Sequence, residues 1–354
     1  MKVITKYISK QIINIFLLCN FIFVLLYLVV DFIQKIDDFV KADVPLVLTL
    51  FFFLYKIPTM VMDVIPAATM ISIVVVICQM KKNKEVMAIK ACGINLYKVF
   101  QPVILISLLI SIFSFLLAEI IVPYTSTRSN EIMEIEVKKR HQASYLEWYK
   151  SKNSIYWIKH FNTETKTIND PVFYFFDDQF NITQKISGET CRWIDGVWEI
   201  KNAKILTLEK DNTYSTTKQS RCILKIPETP ETFITKKRKS ENISYAELKR
   251  HAEEDKAEGF DNTADLVNLY MKLSNPFMAV VLALIAIPLG LWEKINGIPL
   301  AVTLGIFTFF ILLVTTGSAQ AFGLAGILPP LLSAWTANIL FSLSGIYLLM
   351  NIKK

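Results

Sequence analysis

Long apolar stretches occupy both ends of the chain, and one long polar stretch lies between them. Apolar runs of roughly 18 or more residues predict helices that cross a lipid bilayer. We predict spans at 12–30, 57–78, 99–122, 266–291, 298–321 and 327–350. The fold class is therefore membrane α-helical, with six transmembrane helices in two groups of three and a domain inserted between the groups.

The apolar stretch that contains the second span is too long for one straight crossing. Lys56, Pro58 and Asp63 interrupt it. We predict that residues 46–55 form an interfacial or tilted entry and that the span begins after them. Residues 31–43, which mix acids with lysines, are predicted as a short polar loop after the first span.

Within the polar middle stretch, hydrophobic side chains recur at every second position, which is typical of strands. The predicted strands are 154–161, 172–177, 182–193, 197–208 and 220–226. Asp195-Gly196 predicts a tight hairpin. No crossover helices intervene, so we expect an antiparallel jelly roll.

A capping-box pattern, Ser244 to Glu247, follows the predicted strands. It predicts a connecting helix that ends near Gly259. The predicted domains are 1–122 (spans one to three), 123–243 (β domain), 244–262 (connecting helix) and 263–354 (spans four to six).

The positive charge of the chain indicates how it is oriented in the membrane. The net charge is +7, and most lysines flank the apolar runs rather than forming a nucleic-acid-binding surface. The basic positions that fall on one side are Lys2, Lys6, Lys10, Lys81, Lys82, Lys84, Lys90, Lys98, Lys294, Lys353 and Lys354. The positive-inside rule then predicts both termini in the cytoplasm and the middle domain outside. The basic cluster 236–239 belongs to a long translocated domain, where the rule has little force.

Motifs for catalysis are not found in the sequence. No glycine is followed by lysine, which excludes a phosphate-binding loop of the G-x-x-x-x-G-K-[ST] type. The three histidines are scattered, so we expect no metal site and no cofactor in this chain. Cys191 and Cys222 fall on separate predicted strands outside the cytoplasm, where either a disulfide or two buried thiols is compatible with the sequence.

The segment between the second and third spans is short and amphipathic. Glu85, Ala88 and Ile89 share one face at helical spacing, and Gly93 can end the helix. Such a helix suits docking into a groove on a soluble partner, but an ordinary solvated connector has the same pattern. Glu85 is an acid in a basic segment, which favours contact with a cationic partner.

Four stretches in a characteristic order carry a resemblance to a known family. They are EVMAIKACG at 85–93, the 244–259 helix followed by NLYMK at 268–272 and Pro276, GILPP at 326–330 and SAWTAN at 333–338. Together with the three-plus-three spans and the inserted β domain, they resemble the LptF/LptG permeases of the lipopolysaccharide export ABC transporter. The 244–259 helix is more similar to the LptG branch.

The resemblance implies a partnership in the bacterial inner membrane. An LptF-like second permease would pair with this chain, and an LptB-like ATPase dimer would bind ATP and Mg²⁺ beneath the pair. Residues 84–93 would be the coupling helix, with Glu85, Ala88, Ile89 and Gly93 in the ATPase contact. Lipopolysaccharide would enter from the outer leaflet through gates formed by spans one and five. It would then pass to a periplasmic bridge of LptC/LptA-like jelly rolls.

Two departures from the family pattern affect the predicted substrate residues. The basic cluster beyond the first span is mixed here, because Lys35 and Lys41 lie among acids. Arg128 is therefore the stronger candidate for binding lipid phosphate, and Lys272 is either a further cation or a structural partner within the bundle. Divalent cations that bridge acidic residues to the phosphate are the other alternative. Ala337 replaces the usual proline before Asn338.

Three other functions remain open on the sequence alone. A membrane sensor or assembly protein would use the outer domain to bind a ligand without transport. A lipid-modifying enzyme would need clustered acids, bases or metal ligands, and the sequence shows none. A permease for another lipid or lipoprotein is disfavoured by six spans with a single insert.

Overall fold

Six helices in the described part of the chain are long and apolar enough to cross a membrane, three before the β domain and three after it. The computed structural model describes residues 2–351 except 138–142, 145–146, 152–153, 159, 163–164, 178–180, 195, 209–213, 225, 227–228, 231–242, 258–260, 293–294 and 296. The helices are α1 Lys2–Lys41, α2 Leu46–Lys82, α3 Glu85–Ala91, α4 Leu96–Leu116, α5 Val122–Ile132, α6 Tyr245–Ala257, α7 Thr263–Leu291, α8 Ile298–Leu324 and α9 Pro330–Met350. The predicted number and order of spans are confirmed.

The first two helices form an antiparallel hairpin that is longer than a bilayer is thick. They have 40 and 37 residues, or roughly 60 and 55 Å at 1.5 Å per residue, against about 30 Å for the hydrocarbon core. Residues 31–41 therefore continue α1 instead of forming the predicted loop. Residues 46–55 belong to one unbroken α2, although Pro58 and Pro66 lie inside it. Prolines are tolerated in such helices because neighbouring helices satisfy the freed backbone groups.

The third membrane helix also extends further than predicted. A π-helical turn, Leu117–Ile121, joins α4 to α5, and a second one, Met133–Val137, follows. The predicted boundary at residue 123 is therefore wrong, because Pro123 lies in the first turn of α5 and the chain stays helical through Val137. A π turn is one of the local adjustments by which a membrane helix continues past a proline.

The bundle core lies around α7, which packs against α2, α4 and α9. Met70, Ile77, Leu282 and Ala286 in this core have no exposed surface. The approach of α7 to α2 is close enough that a Cβ atom on Gly290 would lie 2.8 Å from Cβ of Ile77. Small residues at helix crossings permit this kind of packing in membranes.

The inserted domain is an antiparallel sheet, as predicted. Its ten described strands are β1 Ala143–Ser144, β2 Glu147–Ser151, β3 Ser154–Ile158, β4 His160–Asn162, β5 Thr167–Asn169, β6 Val172–Phe176, β7 Ile182–Ser187, β8 Thr190–Ile194, β9 Val197–Leu208 and β10 Tyr214–Leu224. One edge of β9 pairs with β10. Its other edge pairs with β8 near its start and with β7 near its end. Two groups of strands, β1-β4-β5-β8 and β2-β3-β6-β7, therefore meet at β9.

Side chains from both strand groups share one core. Tyr156 and Phe173 come from one group, Phe161 and Ile168 from the other, and all four pack in the cluster that contains Trp198 of β9. Each is at most 1% exposed. The predicted hairpin is present, because β8 and β9 are antiparallel neighbours and Ile194 pairs with Val197.

The two cysteines of the β domain are free thiols. Cys191 on β8 and Cys222 on β10 are both register partners of Ile200, from opposite edges of β9. Two strand spacings of about 4.8 Å separate their Cα atoms by roughly 10 Å, beyond the ~7 Å limit for a disulfide. Of the two alternatives left open by the sequence, the structure has unbridged thiols.

Candidate functional site

The short helix α3 is fixed by backbone turns on both sides. Lys84 takes a left-handed conformation with φ of 59° before it, and Gly93 takes φ of 68° after it. The side chain of Asn95 then caps α4 by accepting a hydrogen bond from the Tyr97 N–H at 2.9 Å. These turns hold the seven-residue α3 across the end of the bundle, between α2 and α4.

The two faces of α3 have different environments. Val86 and Ile89 are 8% and 9% exposed and belong to the bundle core, whereas Met87 and Ala88 are exposed. The half-buried carboxylate of Glu85 accepts hydrogen bonds from the Tyr7 hydroxyl at 3.3 Å and from Asn83 Nδ2 at 3.1 Å.

The predicted coupling residues therefore divide into two groups. Glu85, Ala88 and the exposed Gly93 lie at the surface, while Ile89 faces inward and anchors the helix. Burial could not be assigned from the spacing, because Glu85, Ala88 and Ile89 fit one face of an isolated helix equally well.

Further hydrogen bonds connect this end of the bundle to its second half. Lys81 Nζ donates to the carbonyl oxygens of Trp292 at 2.7 Å and Ile295 at 3.2 Å. The Tyr97 hydroxyl donates to the carbonyl of Leu349 at 2.7 Å, near the end of α9. The helices that flank α3 are therefore both bonded to the second half of the bundle.

A partly buried ion triad lies between α1 and α2, towards the β-domain end. The Asp31 carboxylate, 6% exposed as a residue, is 2.6 Å from Lys35 Nζ and 2.8 Å from Lys56 Nζ. Both ammonium groups also lie over the ring of Phe52, at 5.5 and 5.6 Å from its centroid. One carboxylate thus holds two cations, which leaves the triad with a net positive charge.

The other predicted substrate cations are placed separately. Lys41 is exposed in the last turn of α1. Arg128 pairs with Glu131 at 2.8 Å and lies over the ring of Tyr124. Among contacts between described residues, none joins Arg128 or Lys41 to the triad. The sequence analysis did not predict that Lys56 belongs to the triad. A lysine within an apolar run requires a partner, so the position of Lys56 already indicated an ion pair.

Another charged cluster, around Glu119, joins the helix that follows the β domain to the membrane helices. The Glu119 carboxylate, on the first π turn, accepts from the Tyr245 N–H through both oxygens at 2.7 and 2.9 Å. The Glu247 N–H donates to Ser244 Oγ at 3.2 Å, as the capping box predicted. Half-buried Lys272 lies within electrostatic reach of Glu119 and Glu247. This agrees with the alternative in which Lys272 is a structural partner within the bundle. Sequence reasoning missed Glu119.

The structure and the chemistry of its charged clusters define a multi-pass membrane protein of two three-helix halves with an inserted antiparallel β domain. In the described ranges, no group of three or more His, Cys, Asp or Glu side chains could hold a metal ion.

The family described as lipopolysaccharide export system permease LptF/LptG matches residues 6–351, and the chain belongs to this family. It is a permease of the lipopolysaccharide export system, and in such systems the ATPase is a separate subunit. A search of curated proteins gave no match. The match covers both permease branches without distinguishing them.

Proposed function

We propose that this chain is an LptG-like permease that extracts lipopolysaccharide from the inner membrane, driven by ATP hydrolysis in a partner dimer. Its basic end faces the cytoplasm and the β domain lies in the periplasm. The fold supports this orientation because Tyr7 near the N-terminus, the α2–α4 connection and the end of α9 all meet at one end of the bundle. That end carries the lysine-rich connections that the positive-inside rule assigns to the cytoplasm.

The main observation behind the transport proposal is the uneven burial of the six helices. In their most apolar 18-residue windows, α2 and α7 are each 67% buried, whereas α1 is 11% and α8 is 17% buried. Helices α1 and α8 are the first and fifth spans. Their exposed faces are available to a second, LptF-like permease and to the lipid chains of a substrate that enters between the two subunits.

The charged groups at the β-domain end fit a substrate with an anionic head. The Asp31 triad places two lysines on one carboxylate, Lys41 is exposed, and the exposed Arg128 pairs with Glu131. We propose that Lys35, Lys41 and Arg128 attract lipid phosphates, with Lys272 acting mainly to hold α6. The β domain then passes the lipid to LptC/LptA-like jelly rolls, which its antiparallel fold resembles.

We propose that α3 docks on the LptB-like ATPase through Glu85 and the exposed Ala88 and Gly93. Ile89 would support the contact from beneath by anchoring α3 to the core. The test is co-purification of the ATPase with the permease pair containing Glu85→Lys or Glu85→Gln. Glu85→Lys should abolish capture, while Glu85→Gln, which can still accept from Tyr7 and Asn83, should reduce it about tenfold.

Matched controls separate docking from folding. Lys82→Gln changes an exposed charge on the same end and should leave capture unchanged. Normal ATPase capture and normal lipid transport by Glu85→Lys would refute the coupling assignment.

A further inference from the structure

A strongly basic surface lies on the outward face of β9 and β10 in the inserted domain. Two pairs of cations are direct register partners in these strands, Lys201 with Arg221 and Lys204 with Lys218. Directly opposed residues of an antiparallel pair extend to the same side, with Cβ atoms about 5 Å apart. All four side chains are exposed, and together they form the basic quartet.

One backbone feature brings both pairs to the same side of the sheet. Buried positions on β9 change from the even-numbered Ile200 to the odd-numbered Ala203. The change falls at Asn202, which has a left-handed φ of 54° and lies at a gap in the pairing with β10. In a regular strand Lys201 and Lys204 would point to opposite faces, because side chains alternate. Here both point away from the core.

The quartet opposes the stability of the sheet by itself. Like charges directly opposite each other destabilise an antiparallel pair. In the described ranges, none of the three lysines has a side-chain hydrogen bond or ion pair. Arg221 has an ion pair, from its Nε to Glu199 at 3.4 Å, and the carboxylate of Glu189 beside the quartet accepts a hydrogen bond from Asn202 at 2.9 Å. A local rule that is broken without internal compensation is typical of a functional site.

The charge and spacing of the quartet indicate the kind of ligand that it fits. The two pairs lie three residues apart along β9, at most about 10 Å, so a matching ligand carries at least two separate anionic groups. Lysine is depleted in protein–protein interfaces, whereas Lys and Arg both bind phosphate. Lipopolysaccharide, which this family of permeases exports, has a phosphorylated sugar head that meets both requirements.

We propose that the basic quartet binds the phosphorylated sugar head of lipopolysaccharide at the outer surface of the β domain. One phosphate lies between Lys201 and Arg221, and another lies between Lys204 and Lys218. The inference rests on the proposed passage of the lipid across the β domain. It adds a phosphate site that is separate from the cations proposed on α1 and α5.

Site-specific photocrosslinking in the complete permease–ATPase complex tests the position of the ligand. The complex is held in phosphatidylcholine nanodiscs, and deacylated lipopolysaccharide that keeps its phosphates is added from solution. A photoreactive phenylalanine analogue replaces either Thr216, on the same face as Lys218, or its exposed neighbour Thr217, on the opposite face. The analogue at Thr216 should crosslink to the probe and the one at Thr217 should not.

Charge variants test the phosphate contact. Lys201→Gln combined with Lys218→Gln should raise the probe concentration for half-maximal crosslinking about 25-fold, at about fivefold for each basic residue that faces anionic headgroups. Lys249→Gln, which changes an exposed lysine of α6, should leave that concentration unchanged. Because the double variant removes repulsion between like charges, its thermal unfolding temperature should not fall. Lost binding is thereby separated from lost folding.

Several results would overturn the proposal. They are equal crosslinking at the two threonine positions, unchanged crosslinking in the double variant, and equal crosslinking of a probe whose phosphates have been removed. Displacement of the probe by inorganic phosphate at the same phosphate concentration would identify a free-anion site, and displacement by phosphatidylglycerol vesicles would identify a membrane-binding surface; either also overturns it. The probe arrives from solution, so crosslinking does not require ATP hydrolysis. Retained crosslinking without ATP-driven extraction would therefore support the site and refute the proposed function alone.

Discussion

Glu119 provides the sharpest test of how the inserted domain is attached to the membrane helices. Its carboxylate is the acceptor for the first N–H of α6, at 2.7 and 2.9 Å. The contact joins residues 126 positions apart and lies next to Lys272. We predict that removing the carboxylate releases the start of α6 from the membrane bundle.

The expected size follows from two contributions. A negative charge at a partly buried helix N-terminus stabilises it by up to about 2 kcal/mol, and a donor left without an acceptor costs about 1–3 kcal/mol. Because the two effects overlap, Glu119→Ala should destabilise the start of α6 by about 2–3 kcal/mol. Glu119→Gln keeps an acceptor oxygen and loses only the charge, so its expected cost is about 1 kcal/mol.

Amide hydrogen exchange of α6 in nanodiscs measures this directly. Protection of the first turn should fall about 30- to 150-fold in Glu119→Ala and about fivefold in Glu119→Gln, at 1.4 kcal/mol per tenfold. Glu131→Ala is the control, because the exposed Glu131 carboxylate pairs with Arg128 and not with α6. Unchanged protection in Glu119→Ala, or an equal loss in the control, would refute the reasoning.

Two further predictions concern helix packing and thiol chemistry. A Cβ on Gly323 would collide with the side chain of Ser333, whereas one on Gly317 would meet nothing within 4 Å. Gly323→Ala should therefore lower the free energy of unfolding by about 1–3 kcal/mol, and Gly317→Ala should leave it unchanged. Thermal unfolding in detergent measures both variants, and equal effects would contradict the packing argument. Burial raises the pKa of Cys191, so its reactive thiolate is scarce at neutral pH and becomes more abundant as the pH rises. Alkylation of the folded protein should label the exposed Cys92 first. The denatured, unreduced protein should titrate all five thiols, and a count below five would contradict the strand register that separates Cys191 from Cys222.

The sequence predicted the membrane architecture because the relevant signals are local. A span is recognisable from the length of its apolar run, and a strand from alternation along a few residues. The hairpin at Gly196 and the helix after Ser244 likewise depend on neighbouring residues. Helix ends were less predictable, because residues 31–41 and 123–137 are more polar than the spans. They continue as helices where both pack against the start of α2, as the cluster of Phe39, Phe52 and Val137 shows.

The charged sites were only partly predictable, because their partners are distant in the chain. Asp31 and Lys56 are 25 residues apart, and the unpaired acid and lysine could each have been recognised as needing a partner. Nothing in the sequence indicated which partner each would have. The inward position of Ile89 similarly depends on how α3 lies against the bundle.

By itself, the sequence determined that the chain crosses a membrane, where the β domain is inserted and which end is basic, since each depends on the order of residues along the chain. Only the tertiary structure decided that Glu119 holds α6, that Lys35 shares Asp31 with Lys56, and that β9 separates Cys191 from Cys222. These contacts depend on which helix faces meet and on the register of neighbouring strands, and a single linear pattern is compatible with many such arrangements.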